Sequence, residues 1–244
     1  MSRRKVQPSL SSEAYEQIRH DLIEGTLAPG TKLIVADLQL RYGLGVMPLR
    51  EALNRLSSEQ FVLKHEQRGF SVPPLDIAEY VRIQNARIVI ETAALRDSIN
   101  SHSPEWEDRV VLAQHHLAKA SKAGPDFLLS SEWALAHANF HRELISGCDN
   151  TWLLTFAEQL FSQSERYRVR RRQIDTGSLS QSGHLLEEHK AIADAAVDGD
   201  VELAIDRLVR HYKKSVETVV GETIELDSGL VLRRQPLAPN PSKE

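Results

Sequence analysis

The sequence predicts a mainly α protein: an N-terminal winged helix-turn-helix followed by a C-terminal antiparallel α-helical bundle. Three observations predict it. Three short helical patterns and then two β-prone pieces occupy the first 74 residues; beyond residue 75 the apolar residues recur at three and four with no comparable strand signal; and Gly69-Phe70-Ser71-Val72-Pro73-Pro74 interrupts any helix between the two regions. The expected organisation is a disordered arm over 1–10, a winged helix-turn-helix over 11–74, a helical domain over 75–220 and a flexible tail over 221–244.

In the first region Ala14, Ile18, Leu22 and Ile23 have helical spacing that ends at Gly25, and Pro29-Gly30 turns the chain before Leu33. Asp37 to Tyr42 forms a second short helix closed by Gly43. Pro48 is placed to open a third, with Leu49, Leu53 and Leu56 on one face. Phe61-Val62-Leu63-Lys64 and Gly69-Phe70-Ser71-Val72 then read as two short strands around a polar turn. The second region carries about six helical stripes. They are marked by Tyr80, Ile83, Ile90 and Ala94; by Trp106, Val110, Ala113, Leu117 and Ala120; by Trp133, Phe140 and Leu144; by Leu153, Phe156, Leu160 and Tyr167; by Leu185, Ile192 and Ala196; and by Ala204, Leu208, Val216 and Val219. From Gly221 onward three prolines, scattered charge and no sustained period predict a mobile tail.

With 244 residues, 41% of them hydrophobic and 26% charged, the chain is neither fibrous nor wholly disordered. No apolar run reaches the roughly 18 residues of a membrane span, and polar Gln7, Ser9, Ser11 and Ser12 follow the basic start where a signal peptide needs apolar residues, so the expected compartment is the cytoplasm. Cys148, the single cysteine, excludes an internal disulfide and a thiolate metal cage. The net charge of −4 argues against a nucleic-acid partner only if it is evenly spread. Residues 1–74 hold ten Lys/Arg and eight Asp/Glu, while the remainder holds twenty and twenty-six, so the signs partly segregate.

Tyr15-Glu16-Gln17-Ile18-Arg19, Gly25-x-Leu27-x-Pro29-Gly30 and Pro48-Leu49-Arg50-Glu51-Ala52-Leu53-x-x-Leu56 resemble the GntR family of bacterial transcription regulators. In the second half Arg87-x-x-x-Glu91, Phe140-His141, Ser146-Gly147, Glu188-His189-x-x-Ile192 and Gly199-Asp200-x-x-x-Ala204 resemble the all-helical ligand domain, FCD, of its FadR-type branch. The resemblance spans roughly residues 12 to 218 and implies a homodimer whose helical domain binds a small effector, often a carboxylate, and thereby changes DNA affinity; the expected partner is a short pseudo-palindromic operator and the expected outcome repression.

In a helix-turn-helix the start of the second helix meets the major groove, where side chains read base edges and backbone N–H groups hold phosphate. Arg50 is placed to fork onto guanine or a phosphate, the bland alternative being a surface pair with Glu51 or Asp37. Arg68-Gly69 at the hairpin tip lets the wing approach the minor groove. Just before Pro48 the family usually has a Ser-Arg-Thr-like triplet, and here it is Gly45-Val46-Met47. Backbone donors at Gly45 and apolar contact from Met47, for instance with thymine methyl groups, replace two polar readers and an arginine, so the operator should differ from that of commoner relatives.

The most specific constellation is four histidines. His137 and His141 share one helix face; His189 lies four after Leu185 and three before Ile192; His211 lies three after Leu208 and seven after Ala204. Three helices therefore send imidazoles inward, where a divalent transition metal, zinc first and nickel or manganese next, would be held; the alternative is a polar network touching the effector directly. The family's metal sites look like one Asp and three His. The resemblance puts His141, His189 and His211 on the histidine positions and His137 in the Asp place, a change that raises the site's charge by one. Arg87 and Arg166 are expected effector-binding cations, each with a salt bridge as its alternative: Arg87 to Glu91, Arg166 to Glu165 or a bundle carboxylate. The remaining six histidines, His20, His65, His102, His115, His116 and His184, read as surface or packing residues. A hydrolase is the competing enzyme class, but in His137-Ala138-Asn139-Phe140-His141 alanine stands where a zinc peptidase needs its catalytic glutamate. A regulator responding to the metal itself is the third reading.

Overall fold

The computed structural model describes residues 9–123, 127–168, 181–226 and 231–234. Its first helix, α1 (Leu10–Glu24), starts where Ser9 accepts a hydrogen bond from the Ser12 amide and stops at Gly25 in the left-handed conformation. Residues 1–8 of the expected arm lie outside the described residues; Leu10, assigned to that arm, is already helical because Ser9 caps the chain there. Helix α2 (Val35–Tyr42) and helix α3 (Val46–Ser58) follow, with Gly43 closing α2 in the left-handed region. Helix α3 begins two residues before Pro48, which falls within its first turn, where a missing N–H breaks no helical bond.

Strands β1 (Lys32–Leu33), β2 (Leu63–His65) and β3 (Gly69–Ser71) form an antiparallel sheet in the order β1-β3-β2, with Leu33 opposite Phe70 and His65 opposite Gly69. One core unites these elements: Ala14, Ile18 and Leu22 of α1 meet Leu49, Leu53 and Leu56 of α3, and Leu33, Phe61 and Phe70 close it from the sheet side. The polar rim also holds. Arg41 and Tyr42 both donate to the Asp21 carboxylate, fixing the end of α2 to α1.

Among the described residues six longer helices follow: α4 (Ile77–Asn100), α5 (Pro104–Ala120), α6 (Ser131–Leu144), α7 (Thr151–Glu165), α8 (Gln181–Val197) and α9 (Val201–Val220). Ser103, Ser130 and Asp200 cap α5, α6 and α9 by accepting from the amides three residues on. Helix α4 packs on α9, α5 on α6, and α8 on both α5 and α9. The stripes read from the sequence face inward for α5, α6 and α9, where Trp106, Val110, Leu117, Trp133, Phe140, Leu208 and Val216 are all buried. The stripe on α7 does not hold throughout: Phe156 is 45% exposed beside Trp152 at 69%.

Chain contacts divide the molecule into two units, and two features depart from the expected organisation. The winged-helix unit runs to Asp76 but also takes in residues 162–168, so α7 belongs to the helical unit only through Phe161. Within the winged-helix unit Arg19 donates to Ser162 Oγ, Gln163 to the Glu59 carbonyl and Tyr167 to the Asp76 carbonyl. The second departure is in the expected tail. Strands β4 (Ile224–Leu226) and β5 (Leu232–Arg234) pair antiparallel, with Ile224 and Leu232 buried, and the Asn85 side chain of α4 bonds both the N–H and the carbonyl of Leu232. Two isolated apolar residues and one asparagine amide supply what the hairpin needs, which no periodicity signals. Residues 227–230 and 235–244 of that tail lie outside the described residues.

Candidate functional site

The face that sequence analysis assigns to DNA is built on the first turn of α3. Gly45 occupies its N-cap with no side chain to bond the free amides, so these point outward from the end of the helix that carries the positive dipole. Val46 and Met47 are 40% and 67% exposed, and Arg50 is exposed as well. Glu51 instead receives Ser11, and Arg50 forms no ion pair with it or with Asp37 among the described residues. In the wing, Arg68 and Gly69 are exposed, and Gly69 has φ +85 with open space where a side chain would stand, so the tight turn rather than crowding requires glycine there.

In the helical unit the four histidines meet. One nitrogen from each of His137, His141, His189 and His211 falls within a group whose members are all within 4.8 Å of one another, the last three buried and His137 half-buried. Each arrives for a local reason. His137 and His141 are one turn apart on α6, their rings 4.6 Å apart, and His137 stacks on Trp133 one turn earlier. His189 donates from Nδ1 to the Leu185 carbonyl at 2.6 Å, on its own helix. His211 donates from Nδ1 to Glu188 at 3.3 Å, and Lys214 also donates to that carboxylate. Tyr212 gives its proton to Glu91, which leaves its oxygen to accept from His141 Nδ1 at 3.5 Å.

A carbonyl, a carboxylate and a committed phenol all keep the proton on Nδ1, so His141, His189 and His211 each turn an Nε2 lone pair inward. The buried His141 Nε2 has no hydrogen-bond partner. Burial, and then the neighbouring histidines and Arg87, hold His141 well below the ordinary histidine range, so it is neutral at pH 7, the form that ligates. An orphaned nitrogen, the neutral imidazole of His141 and the anchored Nδ1 atoms fit a divalent transition metal by the chemistry of the donor set.

Beside this cluster is a cavity of about 320 Å³ whose wall includes His141, Glu91 and Phe161. Arg87 does not line it. Its guanidinium donates to Glu91 at 2.7 Å and to Tyr212 at 3.1 Å, and it lies over the rings of Phe161 and Tyr212. Burial works against its charge, but Glu91 and Tyr212 outweigh burial and raise its pKa, so it remains a cation. The expected pairing of Arg87 with an effector thus gives way to the buried Glu91 bridge. Arg166 is not brought to the histidines either: it groups with the winged-helix unit, donating to the Pro73 carbonyl at 2.9 Å and to Gln163 at 3.3 Å. Helix α7 ends just before it, at Glu165. The six other histidines are all exposed.

Sequence reasoning missed the groups that aim the imidazoles. Leu185 stands one turn before His189 and was readable as its partner; Glu188 and Tyr212 each adjoin a histidine in sequence but act on one from another helix, and no spacing rule carries that.

Comparison with known proteins agrees with both halves. Residues 10–72 match the model of bacterial regulatory proteins of the gntR family, and residues 82–214 match that of the FCD domain. The chain belongs to the GntR family of bacterial transcription regulators, in the branch with an FCD domain. It is 33% identical over 214 residues to the uncharacterized HTH-type regulator BphR of Paraburkholderia xenovorans, covering 86% of this chain and 85% of that one. It is 31% identical over 203 residues to the HTH-type transcriptional repressor GlaR of Escherichia coli, covering 82% and 91%. The fold matches solved E. coli McbR/YncC with a TM-score of 0.74 at 20% identity, over 88% of this chain and 99% of that one. These relatives are transcription regulators, not enzymes, in agreement with alanine at position 138. No helix among the described residues is long and apolar enough to cross a membrane.

Proposed function

We propose that this GntR-family regulator is a cytoplasmic repressor that binds a pseudo-palindromic operator as a homodimer and is released by a small carboxylate bound at a metal centre in its helical unit. The observation that carries the reading is the set of Nδ1-anchored histidines around the bare Nε2 of His141. His137, His141, His189 and His211 would hold the ion, which when bound supplies a positive charge and open coordination positions for an anion. The chain's own part is to keep the four imidazoles neutral, aimed and shielded from water.

On the DNA side, Arg50 and the uncapped amides after Gly45 would read the major groove, Met47 would touch apolar base edges, and Arg68-Gly69 would bring the wing to the minor groove. Exposed Trp152 and Phe156, their rings 6.1 Å apart on α7, support a second copy as partner of the helical unit. Repression is favoured because two of the relatives, GlaR and RspR of E. coli, are named repressors. The cavity beside the histidines favours a small-molecule signal over the metal alone. Helix α7, whose Phe161 lies against His141 while its next residues group with the winged-helix unit, would carry the change in packing to the operator.

The test is metal analysis of the full chain purified without chelator, beside the double variant His189→Ala/His211→Ala. The wild type is expected to hold about one divalent ion per chain and to shift operator affinity about 5-fold to 150-fold with effector, the usual range of such coupling. The double variant should lose both and still bind operator DNA. A wild type that takes up no metal would leave the histidines as a polar network and overturn the proposal.

A further inference from the structure

We infer that the effector is a monocarboxylate with an uncharged, apolar body about the size of an aromatic ring plus a short linker, its carboxylate turned toward the histidine cluster and its body along Phe161. The inference rests on the metal-site reading above and narrows it.

The polar residues of the cavity wall divide by burial. His141 and Glu91 are 3% and 2% exposed, whereas the Arg142 and Glu158 side chains are about half exposed, so the cavity has a buried polar end and an open polar end. The rest of the wall is Ala138, Ile145, Leu154, Ala157 and Phe161 with one hydroxyl, Ser146, which is already taken up by Arg109 and Glu143. A ligand hydroxyl or amide lodged there would give up its water for no partner, a loss of about 1–3 kcal/mol per group. A sugar acid or a polyhydroxy acid therefore does not fit this wall.

A second carboxylate on the ligand would fare worse. Among the described residues Arg142 is the one lysine or arginine lining the cavity, and its guanidinium is engaged with both oxygens of Glu158, the shorter contact at 3.1 Å. Arg87 is committed to Glu91 and Tyr212 inside the protein. A second negative charge would meet apolar carbon or the two glutamates. By contrast the buried end suits one anion: imidazole ligands bring no negative charge and leave a bound divalent ion its own, and Glu91 beside it is neutralised by Arg87.

Size and shape follow from the wall. A cavity of about 150 Å³ holds a benzene, and this one is about 320 Å³, enough for a ring, a linker of a few carbons and a carboxylate. Alanines at 138 on α6 and 157 on α7 leave the width, and the Phe161 ring offers a flat partner.

Calorimetry on the zinc-loaded full chain with 3-phenylpropanoate, glutarate, gluconate and acetate tests this, with zinc content measured separately. 3-Phenylpropanoate should bind about tenfold or more tightly than each of the other three, and release operator DNA in the same order. Ala157→Leu, which fills the apolar wall, should weaken 3-phenylpropanoate about tenfold or more and leave acetate unchanged. Leu154→Ala, which widens the wall, should move the preference to the longer 4-phenylbutanoate, so that misfolding of the first variant does not leave the matter open. Glutarate binding as tightly as 3-phenylpropanoate, or both variants leaving the order of acids unchanged, would overturn the inference while zinc uptake leaves the metal reading standing; a chain that takes up no zinc would overturn the two together.

Discussion

At the start of α3, Arg50 and Met47 stand in solvent and no side chain caps the helix, whereas in the helical unit Arg87, Glu91, His141, His189 and His211 are each at least nine-tenths buried and each has a bonding partner. Both regions concentrate polar chemistry, under opposite constraints. A group that reads DNA must wait in water and loses little by having no partner. A buried group must be satisfied within the fold, so its neighbours are as much part of the site as the group itself. A substitution at the exposed face should therefore change binding and spare stability, while one in the buried network should change stability as well.

The sharpest way to break this contrast is Arg87→Met. It leaves the Glu91 carboxylate buried without its cation, and about 3–5 kcal/mol of stability should be lost in urea unfolding, with much of it recovered in Arg87→Met/Glu91→Leu, where neither charge remains. If the single variant is as stable as wild type, the buried bridge is not what holds α4 to Tyr212.

Arg50→Ala probes the other side. Operator affinity should fall by about 1–3 kcal/mol, roughly 5-fold to 150-fold, while unfolding stays within about 0.5 kcal/mol of wild type. Equal operator affinity at one salt concentration would show that Arg50 is not a reader.

Glu188→Gln lies between the two. Glu188 is partly exposed yet holds His211, and losing a group that orients a ligand should weaken metal binding about 10-fold to 100-fold in competition with a chelator. Burial raises the Glu188 pKa, but the bonds from His211 and Lys214 outweigh it and keep the carboxyl below its ordinary value, as an anchor for an imidazole N–H requires.

The smallest effect should be in the winged-helix unit at acid pH. Burial pushes the Asp21 carboxyl up, and the bonds from Tyr42, Thr26 and Arg41 outweigh it, so its folded pKa lies below the unfolded value. Its contribution is complete above the unfolded pKa of about 3.9 and is lost as pH falls through the lower folded pKa. Asp21→Asn should remove that part of the acid sensitivity, which unfolding followed at pH 7 and below pH 4 would show; an unchanged pH slope would mean the carboxylate does not tie α2 to α1.

Much of the fold was legible because its signals are local. Ser9, Gly25 and Gly43 bound helices where the sequence places turns, and the stripes on α5, α6 and α9 are buried as their spacing predicts. Phe156 shows the limit of periodicity: it has the spacing of a core residue and lies 45% exposed. Ile224 and Leu232 show the converse, since two short strands of three residues carry no period worth reading, yet both residues are buried.

The sequence by itself determined the two-part fold, the exposed start of α3 and the inward side of each histidine-bearing helix, because capping and helical spacing depend only on near neighbours. Only the tertiary structure decided that Arg87 is spent on Glu91 and Tyr212, that Arg166 groups with the winged-helix unit, and that Glu188 and Tyr212 aim histidines of other helices. The reason is physical: a buried charge takes whichever partner the packed helices bring within about 3 Å, and that partner can be 121 residues away, as Tyr212 is from Glu91.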